Sequence, residues 1–65
     1  MKFRYDPDVD AVYMRITDAD IVESEEVQPG MIIDFDAEGK IVAMEFLKAK
    51  ERFSLEAIRQ FSEAA

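Results

Sequence analysis

Sixty-five residues, 49% of them hydrophobic and 35% charged, are enough for one small folded domain over residues 1–65 and leave no room for a second. Eight Lys and Arg against fifteen Asp and Glu give a net charge of −7, which repels phosphate and argues against nucleic-acid binding by counterion release. The chain lacks Cys and His, so thiolate and imidazole chemistry are excluded. It also has no apolar run long enough for a membrane span and no signal-peptide core, which makes the cytoplasm the expected compartment.

In chain order, Lys2 to Tyr5 alternates and reads as a short strand with Phe3 and Tyr5 on one side. Asp6-Pro7-Asp8 is a turn signal, in which Asp side chains bond local amides and Pro presets the backbone. Ala11 to Thr17 is a second strand, with Val12, Met14 and Ile16 facing opposite to Tyr13, Arg15 and Thr17. Ile21 to Gln28 is a weaker third strand whose acidic middle, Glu23, Glu25 and Glu26, suits a solvated edge. Pro29-Gly30 fits the centre of a type II turn. Met31 to Phe35 and Ile41 to Leu47 are the most apolar strands. Asp36-Ala37-Glu38-Gly39 joins them as a type I turn with Gly39 left-handed. A helix begins at Phe53-Ser54, with Ser54 as its cap and Phe53 and Ile58 as a hydrophobic staple; Leu55, Ile58 and Phe61 form its apolar stripe. About ten residues of helix cannot stand alone in water, so it must dock. The expected fold is α+β: an antiparallel sheet of four or five strands in meander order, with one C-terminal helix packed on one face.

Charge is unevenly spread. Residues 1–39 hold three basic and eleven acidic residues, net −8, and residues 40–65 hold five basic and four acidic, net +1. The only basic cluster, Lys48, Lys50 and Arg52, reads as a solvated loop. Asp6, Asp8 and Asp10 alternate like the start of a calcium loop, but Ala11 and Thr17 stand where that loop needs Gly and Glu. Asp34 and Asp36 with Glu45 offer paired carboxylates, without a His to complete a metal site. Ser24, Ser54 and Ser62 have no base to activate them, and Gly30 and Gly39 are taken by turns. The reading is therefore a chain without catalytic residues, cofactor or metal ligands. A divalent-metal domain built on the acidic turns is the alternative.

Tyr5-Asp6-Pro7, Asp10-Ala11, Tyr13, Val27-Gln28-Pro29-Gly30, the run from Asp34 to Val42, and Glu45 together resemble domain of unknown function 2283, over roughly residues 2–49. The resemblance implies a small α+β domain from a prokaryote and brings no activity. It also implies Gly at position 43, where this chain has Ala.

The functional expectation is a non-enzymatic interaction module. It would be a homodimer, or the acidic, antitoxin-like partner of another small protein, with Glu23, Glu25 and Glu26 as an acidic contact strand. If Asp36 pairs with Lys40 around the turn, Asp34 faces Val42 and Ile32 faces Met44. Ile32, Val42, Met44 and Phe46 then share a face that one helix cannot cover. That face is the expected dimer interface, opposite the helix.

Overall fold

The computed structural model describes residues 1–63. Five strands, β1 (Lys2–Asp6), β2 (Ala11–Arg15), β3 (Glu23–Gln28), β4 (Met31–Phe35) and β5 (Ile41–Leu47), form one antiparallel sheet. Two helices follow, α1 (Ala49–Arg52) and α2 (Leu55–Glu63). The α+β class and the antiparallel sheet are as the sequence reading has them.

The strand order is β1-β2-β5-β4-β3, which corrects the meander. Strands β3, β4 and β5 do follow one another through tight turns, but β2 lies beside β5, giving β2 to β5 a Greek-key order. The reason is burial. The acidic β3 is exposed at all six positions and is stable only at an edge, whereas Val42 and Ala43 in β5 are fully buried and need neighbours on both sides. Residues 16–22 therefore cross the end of the sheet instead of turning back on β2. This crossing is anchored at both ends, by Ile16 N and Thr17 N donating to the Val42 carbonyl at 2.8 and 3.3 Å and by Val22 N donating to Phe35 O at 2.9 Å.

The hairpin between β4 and β5 has the expected turn. Asp36 N donates to Lys40 O at 2.9 Å, Gly39 N to Asp36 O at 3.0 Å, and Gly39 has φ +78°. The register read from the turn holds through Phe35 and Ile41 and then shifts by one residue. Val42 has no partner on β4, so Asp34 pairs with Ala43, Ile33 with Met44 and Ile32 with Glu45. The unpaired residue is the one whose carbonyl receives the crossing segment, so the bulge and the Greek-key connection meet at one point.

A second correction concerns the helices, of which there are two among the described residues. Ala49-Lys50-Glu51-Arg52 forms a single turn in the segment read as a solvated loop. Asp10 at its entrance makes the turn possible: Asp10 O accepts from Ala49 N at 2.9 Å, and the Asp10 carboxylate accepts from Lys50 N at 3.2 Å. Helix α2 starts as expected. Ser54 Oγ accepts from Ala57 N at 3.1 Å, and Phe53 packs on the cluster that contains Ile58. The core is thin. Val12, Ala49 and Ile58 are its buried centre, with Tyr5, Met14, Phe46, Phe53 and Phe61 around them. Phe53 meets Phe46 and Phe61 edge-on at centroid distances of 5.4 and 5.1 Å, and Phe61 stacks on Phe3 at 5.8 Å.

Candidate interaction surface

Directly paired residues in an antiparallel sheet share a face. The register therefore sorts the side chains without ambiguity. One face carries Phe3 and Tyr5 of β1, Val12 and Met14 of β2, Met44 and Phe46 of β5, Met31, Ile33 and Phe35 of β4, and Glu25 and Glu23 of β3. The helices pack on this face, and α2 lies mainly against β1 and α1. The covered half thus runs from β1 to the end of β5. Over the other half, Ile33, Phe35 and Met44 are partly exposed, and Ile41, in register with Phe35, is 44% exposed. Glu23 and Glu25 stand along the outer rim of this apolar ledge.

The four residues expected to form an interface opposite the helix are not together. Phe46 lies under Phe53 on the helix-bearing face, and Met44 shares that face. Val42 is fully buried, and Ile32 pairs with Glu45 on the opposite face. The cause is the bulge at Val42, which inverts the facing of every β5 residue beyond it relative to the register assumed from the turn. The opposite face is more polar, carrying Lys2, Arg4, Tyr13, Arg15, Glu45, Asp34, Ser24 and Glu26.

The acidic residues singled out as metal candidates serve as local anchors. Asp6 Oδ1 accepts from Asp8 N and closes the first turn at 2.9 Å. Asp10, at φ +53°, accepts the Tyr5 hydroxyl at 2.8 Å. That hydrogen bond, with desolvation and the charges of Asp10 and Asp6, raises the Tyr5 phenol above its ordinary pKa. Asp34 accepts from Ser24 Oγ, and Asp36 Oδ1 accepts from both Glu38 N and Lys40 N at 2.9 Å. Among the described residues no group of three or more acidic side chains is placed to hold a metal ion. No helix among them is long and apolar enough to cross a membrane.

Arg52 has a role that sequence reasoning missed. Its Nε donates to Leu47 O at 2.8 Å and its Nη2 to Pro29 O at 2.5 Å, fastening α1 to the turn between β3 and β4. Gly30, at φ +80°, leaves the space that the guanidinium fills, and a Cβ there would collide with it. Glu26 completes the turn by accepting from Gly30 N at 2.9 Å.

A family model described as protein of unknown function (DUF2283) matches residues 2–50. The chain belongs to that family. No curated protein and no solved structure matches it. In this DUF2283 chain several of the residues that carry the likeness have partners in the fold: Tyr5 with Asp10, Gly30 with Arg52, and Asp36 with the amides of its own turn. Ala43 is fully buried. The family description carries no activity.

Proposed function

We propose that this DUF2283 protein is a non-enzymatic protein-interaction module, and that its docking surface is the apolar ledge of Ile33, Phe35, Ile41 and Met44 with the acidic strand β3 beside it. The observation that carries the reading is the half-covered face. The helices stop over β1, β2 and the end of β5, and the sheet continues beyond them with apolar side chains partly in water. Strand β3, exposed at every position, adds an unpaired edge with Glu23, Glu25 and Glu26. Such a surface suits a partner with an apolar centre and cations around it, and charge would speed the encounter. An antitoxin-like protein that covers a small basic partner is one form of this function, and a homodimer is another.

The test compares the parent with Phe35→Glu and with the double variant Glu23→Lys/Glu25→Lys. Self-association is measured by sedimentation, and proteins retained from the native host are identified by mass spectrometry. Circular dichroism confirms that each variant is folded. The expected result is an association, with itself or with a defined protein, that both variants weaken. A parent that neither self-associates nor retains a protein sensitive to these substitutions overturns the reading.

A further inference from the structure

We propose that the occupant of the ledge is a second copy of this chain, in a two-fold dimer where α2 of each copy lies on the ledge of the other; the inference rests on the reading of the ledge as a docking surface. Three features of the molecule converge on it.

The first is a shortage of burial. Among the described residues only Ala11, Val12, Val42, Ala43, Ala49 and Ile58 are buried hydrophobic residues, and Val12 and Val42 are the largest of those with no exposure. The chain exposes 4672 Å², against ~4200 Å² for a typical monomer of its mass. A chain that buries so few side chains leaves apolar area that a partner can cover.

The second is the outer side of α2. Ile58 and Phe61 turn inward to the core. Leu55 and Arg59, four residues apart and therefore neighbours on the helix, are both exposed, Leu55 at 71%. Among the described residues only Met1 is a more open large hydrophobic side chain. An apolar residue beside a cation is complementary to Ile33, Phe35 and Met44 beside Glu23 and Glu25. The complementarity rests on Arg59 itself, the one cation of α2, whose other charged residues are Glu56 and Glu63.

The third is symmetry. A two-fold axis makes each helix a donor to one ledge and each ledge an acceptor of one helix, so both mismatches are removed by a single contact. Pairing two copies through their β3 edges, the other route to a closed dimer, would set Glu23, Glu25 and Glu26 against themselves and is disfavoured by like charge.

The experiment is sedimentation equilibrium from nanomolar to high micromolar chain, on the parent, Leu55→Asp, Arg59→Glu, Glu25→Arg and the double variant Arg59→Glu/Glu25→Arg. All the substituted positions are exposed, and circular dichroism checks that each variant keeps the fold. The parent should reach twice the mass of the 7.5 kDa chain. Leu55→Asp and each single charge reversal should raise the dimer dissociation constant at least about tenfold, because every change occurs twice in the interface. The double reversal should recover most of the loss, since it restores opposite charges. A parent that stays monomeric throughout overturns the second copy. If a host protein is then lost from Phe35→Glu, the docking surface stands with another occupant. A dimer indifferent to Leu55→Asp and Arg59→Glu overturns the role given to α2.

Discussion

Asp10 does three things from one position. Its left-handed backbone, φ +53°, ends the first turn; its carbonyl receives the first amide of α1; its carboxylate holds the Tyr5 hydroxyl and a second α1 amide. Asp tolerates that conformation better than most residues, which is why the position suits it twice over. The Tyr5–Asp10 bond has a consequence for pH. The folded phenol titrates above the unfolded value of about 10. The contribution is therefore complete below pH 10 and disappears as pH rises through the folded value. Urea unfolding of the parent and Tyr5→Phe should show a stability gap at neutral pH that closes at strongly alkaline pH; a gap constant to pH 12 would contradict the assignment. The two glycines make a second pair. Both have positive φ, but Gly39 faces open space and Gly30 faces Arg52. Gly39→Ala should cost about 1 kcal/mol through backbone strain alone. Gly30→Ala should cost clearly more, and the excess should vanish when Arg52 is already Ala. Additive costs in that thermal-melt cycle would remove Arg52 from the explanation.

At the scale of elements, local chemistry decided nearly everything that the sequence made legible. The Asp36–Gly39 turn, the Pro29-Gly30 turn and the Ser54 cap each rest on residues within four positions of one another, and each is present. Ser54→Ala should lower stability by about 1 kcal/mol in urea titration, with the ellipticity of α2 lost first; an unchanged midpoint would mean the cap carries no weight. What the sequence hid depends on distant partners. Helix α1 has four residues and no capping signal beside it, because its amides are met by Asp10, some forty positions away. The bulge at Val42 has no signal in the hairpin either, since the β2 extension draws that carbonyl out of register. One displaced residue was enough to place Met44 and Phe46 on the helix-bearing face and to part them from Ile32.

For the molecule as a whole, the arrangement is a sheet half roofed, 35 Å in its longest dimension and 17 Å in its shortest. The acidic strand was visible as composition, but the ledge of Ile33, Phe35, Ile41 and Met44 arises from the register of β4 and β5, and its place beside β3 from the order β1-β2-β5-β4-β3. That order also governs the sequence of events during synthesis. Residues 2–15 leave the ribosome first, yet β2 finds its inner neighbour in residues 43–47 and Phe3 its aromatic partner in Phe61. A hairpin of two strands is marginal in water. These earliest-made strands find their lasting partners only once β5 and α2 have been made. In the nascent chain Phe3, Tyr5, Val12 and Met14 are therefore made well before the partners that shelter them in the fold.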